Sequence, residues 1–272
     1  MIDGILALGL AGLLGLVVGS FLNVVIHRLP LMLQAQWDAE TTSTPPNAEP
    51  FNLAVPRSHC PHCHHPLGWQ DNIPLLSFMA LRGRCAHCQA PIAWRYPAIE
   101  LITAGLFTGV VALHGWGLEA MAWAGFSAAL VTLAAIDADT RLLPDAITQP
   151  LVWAGLLAAS LGLSGIGLNE ALWGAAAGYL FLWAVFWLFK GVTGKEGMGQ
   201  GDFKLLAALG AWLGWPALLS LVLIASLTGI LGGLALKWRG LLSENGEMAF
   251  GPYLVLAGLW VMAFGPLPWF LI

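Results

Sequence analysis

Asp137 closes the apolar run 130–136 (Leu-Val-Thr-Leu-Ala-Ala-Ile), and Asp202 ends Gly199-Gln200-Gly201-Asp202 at the head of a later apolar run. A carboxylate at membrane depth is costly to keep unless it is paired or at work. Two of them at matching depth can share one proton. One carboxylate then takes a proton from water while the other donates to a carbonyl or leaving amine, which is the acid–base chemistry that hydrolyses a peptide bond.

A second constellation is sulfur. All four cysteines fall in one segment, as Cys60-x-x-Cys63 and Cys85-x-x-Cys88. The stretch 57–69 (RSHCPHCHHPLGW) repeats as 82–94 (RGRCAHCQAPIAW), with Arg, both Cys, the middle His, Pro, an aliphatic residue and Trp in register at an offset of 25. Two equivalent turns offering two thiolates each predict a closed tetrahedral four-sulfur site for structural zinc, without the open position a catalytic metal needs. His59, His62, His64, His65 and His87 crowd the same turns and are read as neighbours of the metal, not ligands. A disulfide pair or an iron–sulfur centre is the competing use of the four sulfurs. The metal would stabilise a segment too small for its own core.

The remaining acids are weighed against these. Asp38, Glu40 and Glu49 lie in a polar stretch, Glu119 and Glu170 at loop edges, and Glu244 and Glu247 in the last polar loop, all expected to be solvated. Asp139 and Asp145 compete with Asp137 for the catalytic role. Asp139 lies nearer water with Arg141 available, and Asp145 follows Pro144, where it suits the first turn of a helix. Asp202 could also cap the helix it begins. The glycines before it suit a turn and leave room for an extended backbone to approach.

The elements that must position these groups are membrane helices. Of 272 residues, 58% are hydrophobic and 10% charged, against roughly 25% charged in a soluble domain. Apolar runs near 4–26, 97–114, 118–136, 146–163, 168–190, 202–214, 215–236 and 249–271 predict an all-α polytopic membrane protein of about eight transmembrane helices, carrying a small four-cysteine loop domain. The first run begins with an acid, has no small-x-small site after it, and reads as a span and not a cleaved leader. The eleven Lys and Arg residues fall in alternate loops. By the positive-inside rule the zinc loop is then cytoplasmic and both termini lie on the far side. The sixth run is short, and Gly214-Trp215-Pro216 breaks it from the seventh. Such a pair is tolerated where it is buried in protein or lines a wet cavity. The stretch 34–50 is expected to be a loose linker. The organisation expected is a first helix (1–27), a cytoplasmic zinc-knuckle domain (28–96) and a membrane domain (97–272). The net charge of −4 says little, but the basic residues are spread along one membrane face and not clustered, which argues against a nucleic-acid partner.

Several motifs follow one another along nearly the whole chain: 19–30 (GSFLNVVIHRLP), the two knuckles, 71–77 (DNIPLLS), 95–100 (RYPAIE), 142–145 (LLPD) and Gly199-x-Gly-Asp202-Phe-Lys204. In these the chain resembles the type IV prepilin leader peptidases, bifunctional prepilin peptidase/N-methyltransferases. The resemblance implies the fold of the GxGD intramembrane aspartyl proteases, with Asp137 and Asp202 as catalytic residues. It implies prepilins and pseudopilins of pilus or type II secretion systems as substrates, with a short basic leader removed after a glycine at the cytoplasmic face of a bacterial inner membrane. The new N-terminus is then methylated from S-adenosylmethionine. No G-x-G-x-x-G follows a strand, and no soluble segment suffices for a Rossmann-type domain. Methyl transfer must therefore come from the loop domain and inner helix ends. Asn23, Arg28, Asp71, Asn72 and Glu100 are candidates there, and they could equally hold the zinc module in place. A proton-coupled transporter or channel with buried acids is the reading of a different class.

Overall fold

The computed structural model describes residues 2–42, 51–195, 197–240 and 248–268. Among these the apolar runs are all helical, and no β-strand occurs beyond the isolated bridges His59–Pro66 and Arg84–Pro91. Glu49, Glu244, Glu247 and the end of the last apolar run lie outside the described residues. The chain forms two compact units, Met1–Thr132 and Leu133–Ile272, and the division falls within one helix.

The first unit contains α1 (Ile2–Thr42), a short turn of 3-10 helix (Gln70–Asn72), α2 (Leu76–Ala80), α3 (Arg95–His114) and the start of α4 (Leu118–Thr140). α1 and α3 pack together. Pro97, Ile99, Glu100, Thr103, Phe107 and Val110 are the buried residues of α3, and their spacing of one to four residues keeps them on one stripe. α1 corrects one expectation. It continues through Pro30 to Thr42, so 34–42 is helix and not linker. Pro30 removes one i→i−4 bond, but the Leu, Met, Gln and Ala residues after it are good helix formers. Gln34 Nε2 donates to Asp38 Oδ1 one turn on, at 3.0 Å. Asp38 and Glu40 are exposed, as expected. Glu119 is not simply solvated: it pairs with His114 Nδ1 at 2.7 Å.

The second unit contains the end of α4, then α5 (Asp145–Ser160), α6 (Leu168–Thr193), α7 (Gln200–Leu213), a 3-10 turn (Trp215–Ala217), α8 (Leu218–Trp238) and α9 (Gly251–Phe264). α7 is its core, with every residue from Asp202 to Trp212 buried except Lys204. Its 14 residues rise about 21 Å, short of a hydrocarbon core of about 30 Å. Burial against α5, α6 and α9 resolves the difficulty, because α7 is sheathed in protein. The tightest contact is glycine on glycine. A Cβ on either Gly174 or Gly210 would run into the other's backbone, so only two glycines let α6 and α7 approach this closely, which is how helices gain packing energy in lipid. Trp212 Nε1 donates to the Leu151 carbonyl at 2.9 Å and ties α7 to α5. Gly214, at φ 81°, ends α7 ahead of the Trp215-Pro216 turn.

Five helical segments are long and apolar enough to cross a membrane: Gly4–Thr41, Arg95–His114, Leu118–Thr140, Leu168–Thr193 and Trp215–Trp238. Leu172, Trp173, Leu180, Trp183, Trp187 and Leu188 of α6 are all exposed. Such apolar exposure on a helix whose other face is packed marks a lipid-facing surface. The remaining three of the eight expected spans correspond to α5, α7 and α9, of 16, 14 and 14 residues.

Candidate active site and metal centre

Asp137 stands one turn before the end of α4, and Asp202 is the third residue of α7. Both are buried, at 5% and 6% exposure. Gly201, the neighbour of Asp202, packs on Leu143, six residues past Asp137, so the end of α4 and the start of α7 lie in one region of the second unit. Asp139 and Asp145 are exposed. The depth order expected from the apolar run is thus reproduced.

The N-cap of α7 is Gly199 in extended conformation (φ −78°, ψ 150°), and Asp202 N–H donates to the Gly199 carbonyl at 3.3 Å. The N-cap position weighed for Asp202 is thus occupied by Gly199, three residues earlier. Gly201 has a packing role. A Cβ there would lie 2.7 Å from Leu143 Cβ, so this glycine seats α7 against the segment before α5. Gly199 has open space beside it. Asp145 is the first residue of α5, behind Pro144 as N-cap, and both its oxygens accept from Lys204 Nζ, at 2.6 and 2.8 Å. Two motifs 59 residues apart are thereby pinned together beside the aspartate pair.

One participant escaped the sequence reading. The backbone N–H of Gly251, at the start of α9, donates to Asp137 Oδ2 at 2.9 Å. A helix N-terminus carries unpaired N–H groups and a positive dipole end, both suited to a carboxylate. A Cβ on Gly251 would sit 2.6 Å from that same oxygen, so only glycine fits. The available signal was Gly251-Pro252 opening the last apolar run, since Pro in a first helical turn marks a helix start. A buried carboxylate held this way is suited to taking a proton from water.

The four cysteine sulfurs of the loop segment lie within 4.8 Å of one another. The Cys60 and Cys88 sulfurs are 3.8 Å apart, the edge of a tetrahedron with metal–sulfur bonds of about 2.3 Å being about 3.8 Å. The sequence repeat is a structural repeat. Cys60 N–H donates to the His65 carbonyl and Cys85 N–H to that of Ala90, while His64 and Gln89 return bonds to the carbonyls of Cys60 and Cys85. His64 and Gln89, 25 apart, both take positive φ (55° and 59°) to close their turns. Backbone N–H groups of Cys63 and His62 pull the Cys60 thiol down from 9.0 to about 6, while Cys88, against the pull of the Ala90 N–H, is pushed up to about 11 by burial and the other three sulfurs, as befits four thiols that share protons in one cluster. No histidine belongs to the cluster among the described residues; the His65 and His87 rings stack on each other instead. The donor set is that of a closed metal site.

Residues 13–114 match the bacterial peptidase A24 N-terminal domain, and 124–234 match the type IV leader peptidase family. A prepilin leader peptidase/N-methyltransferase of Burkholderia pseudomallei is 50% identical over 95% of this chain and 85% of its own length. Proteins of the same name from Stutzerimonas stutzeri and Pseudomonas aeruginosa are each 50% identical, over 91% and 92% of this chain and 87% of their own lengths. No solved structure matches the chain. Fold and relatives together define an all-helical membrane enzyme with a four-cysteine loop. The chain belongs to the prepilin leader peptidase/N-methyltransferase family.

Proposed function

We propose that the chain is an intramembrane aspartic endopeptidase that removes the short basic leader of prepilins and pseudopilins after a glycine, and then methylates the new N-terminal residue from S-adenosylmethionine. The observation that carries the peptidase half is that Asp137 and Asp202 are both buried, at the end of α4 and the start of α7, in the same unit. One carboxylate takes a proton from water as its oxygen attacks the scissile carbonyl carbon. The other protonates the carbonyl oxygen; as the tetrahedral intermediate collapses it recovers that hydroxyl proton, the first returns the water's proton to the leaving nitrogen, and the C–N bond breaks. The pair titrates jointly, so the shared proton belongs to neither residue alone. The Gly251 N–H and the Asp145–Lys204 pair hold the helix ends in register during this cycle.

Cys60, Cys63, Cys85 and Cys88 hold one structural zinc; the matching sulfur spacing and the duplicated turns support zinc over a redox cluster. The methyl donor supplies an electrophilic carbon: the amine lone pair takes it as the C–S pair returns to sulfur, and the amine proton passes to water. This order is forced, because the amine is free only after cleavage. The enzyme lies in a bacterial inner membrane with its zinc loop cytoplasmic and both termini periplasmic, a placement supported by the segregation of Lys and Arg. Residues 1–27, 28–96 and 97–272 act as anchor helix, zinc-knuckle domain and peptidase domain. The acidic pair at that face draws in a basic leader, while the substrate's apolar helix stays in lipid.

The test is cleavage of a purified prepilin by Asp137→Asn and Asp202→Asn proteins. Both should be inactive, and Asp139→Asn should remain active. Near wild-type cleavage by either of the first two removes the assignment. Radiolabel transfer to pre-cleaved pilin by Asp202→Asn should persist, and its loss in a folded protein would mean one shared site.

A further inference from the structure

The first unit contains a cavity of about 470 Å³ under the cysteine turns, between α1, the loop after it and the start of α3. Its size falls in the roughly 300–1,000 Å³ range of small-molecule sites. Most of the wall is apolar, yet three polar side chains reach it from buried positions: Asn23, Arg28 and Glu100, at 8%, 6% and 8% exposure. Arg28 donates to the carbonyls of Asn52 and Pro56 at 2.9 and 2.7 Å and lies over the Phe51 ring, but no carboxylate among the described residues pairs with it. Glu100 Oε2 accepts the Leu75 N–H at 2.9 Å, and no cation pairs with it among the described residues. Asn23 donates to the Tyr96 carbonyl at 3.1 Å.

Two opposite buried charges thus face one cavity without facing each other. Burying a charge is expensive, and two charges that could neutralise each other have instead been held apart. A purely structural role in tethering the cysteine turns would be served as well by a direct ion pair. The arrangement fits a zwitterion: a carboxylate toward Arg28, ammonium or sulfonium charge toward Glu100, and a flat heterocycle against the apolar and aromatic wall. We infer that this cavity, through Arg28, Glu100 and Asn23, is the site where the methyl donor S-adenosylmethionine binds. The inference rests on the methyltransferase reading above and assigns residues to it.

The experiment is equilibrium binding of labelled S-adenosylmethionine and of its product S-adenosylhomocysteine to the purified full-length protein, with no pilin present. The variants are Glu100→Gln, which removes the charge and keeps an acceptor for Leu75, and Ala93→Trp, which fills the cavity from an exposed position on its wall. Metal content and melting temperature identify folded protein. Both variants should weaken donor binding at least tenfold. Glu100→Gln should weaken the sulfonium-bearing donor more than the neutral thioether product, a difference that mere loosening of the fold does not produce. Wild-type binding with both variants unchanged overturns the site and leaves the methyltransferase reading standing. Absence of binding by wild-type protein overturns both.

Discussion

Gly251→Ala is the sharpest probe of the aspartate site, because it adds one methyl group and removes no charged side chain. The new carbon would lie 2.6 Å from Asp137 Oδ2 and 3.0 Å from its Cγ, where ordinary contact begins near 3.4 Å. The carboxylate must therefore retreat by most of an ångström and give up the 2.9 Å bond from the Gly251 N–H. A hydrogen bond to a charged group is worth about 1.5–3 kcal/mol, and a 1 Å misplacement at a reacting centre costs about a hundredfold. Together they place the loss of cleavage rate at about ten- to a hundredfold. Alanine is a better helix former than glycine, so α9 itself is not weakened. The assay is turnover of a purified prepilin at saturating substrate, with melting temperature and metal content as controls. A variant within about threefold of wild type would show that the N-terminus of α9 does not support Asp137 in the reaction.

Four further outcomes follow from the same geometry. Purified protein should carry about one equivalent of zinc, and Cys88→Ser should lower metal content and folded yield before it alters cleavage, as metal analysis and size exclusion would read. Ligation needs thiolates. With Cys60 lowered to about 6, its thiolate is present at pH 7.5 and is lost as pH falls through about 6, so zinc held against a chromogenic chelator at pH 7.5 should be released near pH 5. Gly210→Val, driven into the Gly174 backbone, should collapse the yield of folded protein in detergent, whereas the same change at Gly191, with open space around it, should not. Asp145→Asn and Lys204→Met break a partly exposed ion pair worth about 1 kcal/mol or less, so each should slow cleavage less than about fivefold and the double variant no more than either alone.

Much of this protein was legible in its residues because the rules involved are local. Apolar length announces membrane helices, since a backbone in lipid must satisfy its own hydrogen bonds. A repeat of thirteen residues at an offset of 25 forecasts two superimposable turns, and the same backbone bonds recur at Cys60 and Cys85. Asp137 could be ranked deeper than Asp139 and Asp145 because it ends an unbroken apolar run. Other features were decided by packing between distant segments. That α1 continues past Pro30 to Thr42 follows from helix propensity outweighing one missing bond, a balance that composition alone misjudged. The partners of Asp137 and Asp145 are Gly251 and Lys204, 114 and 59 residues away, and no spacing rule joins residues so far apart. Gly201 carries the look of a flexible turn, yet its small size serves Leu143. Arg28 and Glu100 read equally as struts or as a site until the fold set both charges around one cavity and apart from each other. Sequence determines what each segment can be in lipid or water; only the closed tertiary structure determines which polar groups must meet there, because meeting depends on which helix faces are buried together.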